Sequence, residues 1–428
     1  MASQVTKALV VGLVLAAAGL NALAEPPARR LPLSVFQDKM KGAWLGQMIG
    51  VGWGLPTEFK TVSAIIPDDK MPPWNPGMVN QHGNDDCYVE MTFMKTLETY
   101  GFDVPIRQAG IDFANSGYPL WHANNAGRTN LRKGIAPPDS GHPQFNKHAD
   151  DIDYQIEADF SGIVSPGMVN QVLALGGTFG RLMNYGDGRY GGQFVGGMYA
   201  EAYFESDVVK VIEAGLACVP AESQYAEMVR DMLKWHKENP AEWEKTWRRV
   251  EDKYHKDPKY THGLCSTPWA ASGKSRSIDA KLNGAYIIMG LLYGQGDPDK
   301  TMRIACRCGQ DSDCNPSNAG GVFFAILGAS KIPERFVEKL DLQAKYSHTD
   351  YTVPKVYEVS EMLVRKAVLR GGGKIEKDAA GEDVFVIPAQ TPKPGQAEKS
   401  YEPGPVADSK FTAEEMNKIT AAGPKPTK

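Results

Sequence analysis

The chain has 428 residues, of which 42% are hydrophobic and 23% are charged, and its formal net charge is −4. This composition is typical of a globular protein that is long enough to bury a large core. The mild negative charge gives no indication of binding to nucleic acid or to an anionic membrane, and we expect no nucleic-acid partner.

The N-terminal residues 1–24 have the three parts of an export signal. Lys7 supplies the positive start, residues 8–20 are apolar, and Ala22-Leu23-Ala24 forms a cleavage site before Glu25. The apolar run is too short to be a good membrane anchor. We expect a signal peptide over 1–24, a periplasmic or secreted mature chain and no stable membrane anchor. The alternative is an uncleaved amphipathic N-terminus.

The first predicted helix, over residues 33–54, is rich in small residues. Gly42, Ala43, Gly46 and Gly50 recur every three or four positions, so that a second helix can approach this face closely. The loop that follows carries Glu58. A glycine- and proline-rich stretch then leads into a second predicted helix, over 85–101, which begins with the acids Asp85 and Asp86.

Residues 121–160 form a long, polar and irregular stretch. A loop of this length within a compact domain is usually functional or disordered, and its aromatic side chains argue against disorder. Amides bind sugar hydroxyls and aromatic rings stack on sugar faces, so this stretch and the glycine-rich turn near residue 186 predict substrate contacts; the alternative is a solvated surface loop. The candidate substrate-binding residues are Trp121, Asn124, Asn130, Asp159 and Gly186.

A second pair of acids, Asp311 and Asp313, precedes a small-residue run and an apolar helix that ends near residue 327. Each pair alone has an alternative interpretation as helix N-cap acids. Two such junctions without local basic partners favour one shared site, because burying an uncompensated charge is very costly and a cation removes that cost. Carboxylate oxygens are hard ligands suited to Mg²⁺, Mn²⁺ or Ca²⁺.

The C-terminal part predicts a β-hairpin over 374–388 and, from residue 389, a tail with little to bury. We therefore divide the chain into a signal peptide (1–24), a helical catalytic domain (25–370), a small β appendage (371–388) and a flexible tail (389–428). The six cysteines are too few to provide a disulfide framework for a chain of this length. Cys87 and Cys314 each stand beside one acid pair, as small buried neighbours, soft ligands or halves of a bridge.

The two acid junctions and their surroundings resemble the ADP-ribosylglycohydrolase family, over roughly residues 33–336. The segments that carry this resemblance are KGAWLGQMIGVGWGLPTEF, GNDDCYVEM, GQDSDCNPSNAGGVFFAILG and KIPERF. The resemblance implies an all-α orthogonal helical bundle, here with a small β-hairpin near the C-terminus, and two divalent cations, Mg²⁺ or Mn²⁺, in a central cleft.

The same resemblance implies roles for individual residues. The residues that match the metal-binding motifs are Asn84, Asp85, Asp86, Asp311, Asp313 and Cys314. The catalytic candidates are Glu58, which stands where the family has a mobile acid near the scissile bond, together with Asp86 and Asp313. Asn84 and Cys314 each replace a threonine of the family motif, and a thiol suits softer ions better than Mg²⁺.

The resemblance predicts an exported, metal-dependent glycohydrolase that cleaves an N- or O-glycosidic bond to a ribose-like sugar. Its partner would be a small-molecule, ADP-ribosyl or glycoside substrate, and we expect a monomer. One alternative is a glycosidase or nucleosidase of the same fold that acts on a glycoside other than ADP-ribose. The other is a non-catalytic binding protein similar to the J1-type lens crystallins, against which the retention of all four aspartates argues.

Overall fold

The computed structural model describes residues 27–262 and 276–420. The predicted signal peptide, Cys265 and residues 421–428 lie outside these ranges. The described chain is mostly helical with one small three-stranded antiparallel sheet, so the predicted fold class is confirmed. No helix in the described ranges is both long enough and apolar enough to cross a membrane.

Residues 27–219 contain one strand and nine α-helices. These elements are β1 (Ala28–Pro32), α1 (Leu33–Gly54), α2 (Asp85–Tyr100), α3 (Ile106–Ala114), α4 (His122–Arg132), α5 (Asp153–Ile156), α6 (Asp159–Ile163), α7 (Val169–Thr178), α8 (Asp187–Ala202) and α9 (Val208–Ala217). The stretch from 121 to 160, predicted to be irregular, therefore contains three helices. Two of them, α5 and α6, have only four and five residues, and buried polar side chains of the stretch such as Asn130 bond to backbone groups.

The second half begins with α10 (Gln224–Glu238) and α11 (Trp243–Val250), which a single π-helical stretch extends over Glu251–Lys256. The elements that follow are α12 (Ala280–Tyr293), α13 (Pro298–Arg307), α14 (Cys314–Leu327), α15 (Val353–Arg370), β2 (Lys374–Lys377), β3 (Asp383–Pro388) and α16 (Ala413–Met416). Every residue of α12 is buried, which makes this helix the centre of the core.

The antiparallel helices α1 and α14 touch backbone to backbone along a row of glycines, which we call the glycine seam. A Cβ atom added to any of these glycines would lie within about 2.3 Å of a carbonyl oxygen of α14 or of the loop before it, closer than van der Waals contact allows. The four pairs are Gly42 with Phe324, Gly46 with Gly320, Gly50 with Pro316 and Gly54 with Ser312. The prediction that small residues in the first helix admit a close neighbour is confirmed.

The predicted hairpin of β2 and β3 is present and is completed by the N-terminal strand. β1 pairs with β3 in antiparallel register, with Ala28 opposite Pro388, and β3 is the central strand of the sheet. The start of the described chain is thus paired with a strand that follows the last long helix, α15.

Residues 389–420, which we call the tail segment, differ from the expectation of a flexible tail. The carboxylate of Glu398 accepts hydrogen bonds from Arg181 at 2.5 Å and from Arg189 at 2.9 Å. The carboxylate of Asp139 accepts from the backbone N–H groups of Ala407 and Ser409. The tail segment lacks an apolar core of its own, and polar contacts to distant parts of the domain hold it in place.

Candidate active site

The glycine seam places the two acid junctions at the same end of the molecule. Asp85 and Asp86 begin α2, and Asp311 and Asp313 lie in the turn before α14. Asp85, Asp311 and Asp313 line one cleft of about 320 Å³, and Asp86 lies fully buried behind its wall. These four aspartates, which we call the acid centre, therefore converge although more than two hundred residues separate the two pairs.

At the first junction, the backbone aims Asp85 and Asp86 in different directions. Asn84 is the N-cap of α2, and its side-chain oxygen accepts a hydrogen bond from the N–H of Asp86 at 2.9 Å. Gln47 of α1 donates to the carbonyl oxygen of Asp86 at 3.2 Å. The amide oxygen of Asn84 has a second lone pair, and Asn84 lines the cleft, so a ligand role remains open to it.

At the second junction, a strained turn holds Asp311 and Asp313. Gly309 has a φ of +81° and Gln310 a φ of +59°, in the left-handed region that residues other than glycine rarely adopt. A Cβ on Gly309 would lie 2.8 Å from the carbonyl oxygens of both Thr61 and Ala64, so no larger residue fits there. The turn is therefore fixed against the loop that carries Glu58.

A hydrogen bond from Cys314 connects the two junctions. Its Sγ lies 3.0 Å from Oδ1 of Asp86, to which it donates. Burial and the charges of Asp311, Asp313 and Asp86 raise the pKa of the Cys314 thiol well above its ordinary value, so the thiol keeps its proton. A threonine hydroxyl would also be a donor, and Cys314 thus keeps the hydrogen-bonding role of the residue that it replaces.

The acid centre contains buried carboxylate oxygens that have no hydrogen-bond partner within the described residues. They are Oδ2 of Asp86, Oδ1 of Asp311 and Oδ1 of Asp313. In the same ranges no lysine or arginine forms an ion pair with these three residues. Although Asp313 stands at the N-cap position of α14, its side chain makes no capping bond, which argues against the N-cap interpretation.

The electrostatics of the acid centre favour an added positive charge. Burial is the largest cause that raises the pKa of Asp311, to about 7, and it raises the pKa values of Asp86 and Asp313 well above the ordinary aspartate value. Repulsion between these carboxylates raises the pKa values further. Asp311, Asp313 and Cys314 offer ligand atoms within 4.8 Å of one another, and unpaired hard oxygens suit a divalent cation such as Mg²⁺ or Mn²⁺.

Two further acids, Asp153 in α5 and Glu157 directly after it, extend the acid centre and were not among the predicted site residues. Asp153 lines the cleft; burial raises the pKa values of both Asp153 and Glu157, and the charges of Asp85 and Asp86 raise them further. Oε2 of Glu157 is buried without a hydrogen-bond partner among the described residues. The signal in the sequence is the spacing of four, which places both side chains on one face of a helical turn.

Glu58 lies at the open side of the cleft, beside Arg276. Burial and the charge of Asp85 raise the pKa of Glu58, whereas the charge of Arg276 lowers it. The guanidinium of Arg276 stacks over the ring of Phe59 at 3.5 Å, and both residues line the cleft with Tyr88. The cleft therefore has acids at its base and an arginine with aromatic rings on its walls.

The predicted substrate-binding residues fall into two groups. Trp121 lines the cleft and is 52% exposed. Asn124 is buried beneath the cleft, where its backbone and side chain donate to Asp153 and Glu157, so it positions those acids.

The structure places Asn130, Asp159 and Gly186 away from the residues that line the cleft. The side chain of Asn130 donates to the carbonyl oxygens of Ser140 and Phe145. Asp159 accepts from Tyr199 and Asn318 within the core. Gly186 precedes α8 and contacts the tail segment near Ser400. In this structure Asn130 and Asp159 serve buried polar networks, and the substrate-binding role of these three residues stays a prediction.

Comparison with known proteins identifies one family. The family model described as ADP-ribosylglycohydrolase matches residues 32–368. A solved structure titled "ADP-ribosylglycohydrolase-related protein complex" is similar with a TM-score of 0.47 and 16% sequence identity, over 78% of this chain and 100% of that chain. No curated protein matches the chain significantly.

Proposed function

This chain belongs to the ADP-ribosylglycohydrolase family, and from that premise we propose that it is an exported, metal-dependent hydrolase of a glycosidic bond to a ribose-like sugar. The observation that carries the proposal is the acid centre, where Asp85, Asp311 and Asp313 line one cleft, Asp86 is buried behind its wall, and three of the four aspartates have an unpaired buried oxygen among the described residues. Export is supported by the leader pattern in residues 1–24.

The residues that would hold two divalent cations are Asp85, Asp86, Asp311 and Asp313, with Asp153 as a further oxygen donor at the cleft wall. When bound, such cations supply charge stabilisation and a water of lowered pKa. Cys314 fits better as a donor to Asp86 than as a ligand, because the surrounding carboxylates oppose loss of its proton.

Different side chains of the cleft would assist the reaction at the sugar and bind the substrate. Glu58 lies at the open side of the cleft, where a carboxylate can take a proton from the attacking water or stabilise the positive charge of an oxocarbenium-like state. Trp121 and Phe59 present rings on which a sugar or base can stack, and Arg276 can face an anionic group.

A decisive test is the variant Asp313→Ala, assayed with Mn²⁺ against ADP-ribosylated peptides and against plain ribosides and nucleosides. We expect a loss of activity on the order of a thousandfold, the size of effect that follows from removing one preorganised electrostatic group at a reacting centre. The control is Asp103→Ala, which removes an exposed acid paired only with Arg370 on the surface. A fully active Asp313→Ala enzyme would refute the mechanism.

The same assay separates the proposed substrates. Turnover of plain ribosides or nucleosides without turnover of ADP-ribosylated peptides would assign the second candidate, a glycosidase or nucleosidase of this fold. That candidate is favoured by the two departures from the family motif, Asn84 and Cys314. A chain that binds no stoichiometric divalent cation and hydrolyses none of these substrates would instead be a binding protein.

A further inference from the structure

A second group of potential ligands lies at the rim of the same cleft and contains no member of the acid centre. His122, His148 and Asp151 each offer one ligand atom, and these three atoms lie within 4.8 Å of one another. His122 lines the cleft, whereas Asp151 is fully buried beneath it. The two imidazole rings meet edge to face, with their centroids 5.3 Å apart.

Two local features of the histidines bear on this group. His122 begins α4 with a φ of +41°, a left-handed conformation that is strained for a residue with a Cβ. Nδ1 of His148 is buried and has no hydrogen-bond partner among the described residues. A strained backbone at one ring and a buried unpaired nitrogen on the other are both explained if an ion completes the group.

Asp151 has the fixed orientation that a metal-binding carboxylate needs. Its Oδ2 accepts from the N–H of Ala123 at 3.0 Å, and its Oδ1 accepts from the N–H of Asp153 and from Asn184 at 3.0 and 3.1 Å. Each carboxylate oxygen has two lone pairs, so Oδ2 keeps one for a ligand bond while its hydrogen bond holds the group in place.

The charges around this group are mixed. Asp150 and Asp153 interact electrostatically with Asp151, whereas Arg276 acts on His122 and Lys147 acts on His148. The two neighbouring acids offset the two basic residues, so a bound dication does not add to a net positive environment.

We propose that His122, His148 and Asp151 form a separate binding site for a late first-row divalent cation, represented by Zn²⁺. Two imidazoles and one carboxylate are the ligand set of open zinc sites, in which a water or substrate atom takes the fourth position. The acid centre offers chiefly oxygen ligands, which suit Mg²⁺ and Mn²⁺, so ligand chemistry separates the two sites. Because His122 faces the cleft, the fourth position would be reached from there.

The test measures zinc on the untagged full chain after removal of metals by chelation. Zinc is added to the Asp313→Ala protein, in which the acid centre is weakened, and bound zinc is counted by equilibrium dialysis. X-ray absorption at the zinc edge then reports imidazole ligands directly. We expect about one zinc per chain with scattering from two imidazoles. This result does not depend on catalysis, so it stands or fails separately from the proposed hydrolase function.

Two variants and a control locate the zinc. His148→Phe keeps a ring against His122 but removes the nitrogen ligand, and His122→Asn keeps a residue that tolerates the left-handed backbone. Each should remove the imidazole signal and one zinc per chain. The control, His236→Phe, changes a half-buried histidine that packs against Tyr293 far along the chain, and it should bind zinc as the parent does.

Zinc binding by the parent protein and by the two histidine variants each provides a separate test of the proposed site. If the parent protein binds no zinc, or binds it with oxygen ligands only, the proposal is wrong whatever the variants do. If His148→Phe and His122→Asn fold and still bind zinc with the parent's imidazole signal, the site lies elsewhere and the proposal is equally wrong. In either case the histidine pair is a packing contact.

Discussion

Asp187 and Asp279 are as deeply buried as the acids of the acid centre, but they have a lysine between them. Nζ of Lys281 lies 3.0 Å from Oδ2 of Asp279 and 3.5 Å from Oδ2 of Asp187, and the ammonium group is fully buried. In the acid centre, by contrast, Asp86, Asp311 and Asp313 have no lysine or arginine as an ion-pair partner within the described ranges.

The two groups differ in the positive charge that compensates their buried carboxylates. Around Lys281 the compensating cation is covalently part of the protein, so this group needs no exchangeable ion. In the acid centre the compensation has to come from protons or from a dissociable cation. A site that must admit a substrate needs the second arrangement, because a lysine would occupy the space and the lone pairs that the substrate and its metal require.

The largest expected effect comes from removing the internal cation. Lys281→Met leaves Asp187 and Asp279 buried without their partner, and we expect a loss of about 3–5 kcal/mol in the free energy of unfolding. Urea denaturation measures it, with the exposed Lys234→Met as the matched control. A larger Mn²⁺-dependent gain in Lys281→Met than in the unchanged protein would contradict the comparison, because it would show that the acids around Lys281 accept an exchangeable ion.

The next effect is stabilisation by a divalent cation at the acid centre. Mn²⁺ at a hundred times its dissociation constant should raise the free energy of unfolding by about 2.7 kcal/mol, since it binds only the folded chain. Urea curves with Mn²⁺ and with a chelator give this difference. Asp86→Asn should abolish most of the gain, and an undiminished gain in that variant would place the ion elsewhere.

A smaller effect is the pH dependence of the metal-free protein. The pKa of Asp311 is raised to about 7 in the folded chain, mainly by burial, from a model-peptide value of 3.8. The folded state therefore binds the proton more tightly than the unfolded state, so this contribution to stability is present at low pH and is lost as the pH rises towards 7. We expect a higher melting temperature at pH 5.5 than at pH 7.5.

Two comparisons check this sign. Asp311→Asn should flatten the slope between the two pH values, because the amide does not titrate. Saturating Mn²⁺ should reverse the slope, because the metal competes with protons for the same oxygens. A metal-free protein that becomes more stable from pH 5.5 to 7.5 would show that other groups dominate.

The smallest effect is expected at Cys314. Cys314→Thr replaces one hydrogen donor to Asp86 by another and should change the free energy of unfolding by less than about 1 kcal/mol. Cys314→Ala removes the donor and should cost more than the threonine variant. Equal losses in the two variants, measured by urea denaturation, would mean that the hydrogen bond to Asp86 contributes nothing.

The parts of the site that the sequence predicted are those with a local signature. Two acids at the start of a helix, after a glycine-rich loop, can be recognised at residues 85–86 and 311–313 without knowing what lies opposite. Asp153 and Glu157 have no such signature, because α5 is only four residues long and has no apolar periodicity to mark it as a helix.

The order of the tail segment was likewise hidden from local analysis. Glu398 is held by Arg181 and Arg189, which are more than two hundred residues away in the chain. Composition shows that residues 389–420 bury little apolar surface, and it predicts flexibility on that ground. It contains no information about distant partners, which here provide the contacts that fix the segment.

The glycine seam also determines how the acid centre responds to changes made far from it. Gly42 and Gly54 are twelve residues apart on α1, about 18 Å along the helix axis. If a side chain at Gly42 shifted the two helices by one four-residue step, the loop that carries Glu58 would move by about 6 Å relative to Asp311. Such a displacement exceeds any metal–ligand bond length, so in that case a methyl group at the opposite end of α1 would disrupt the acid centre while every cleft residue remained unchanged.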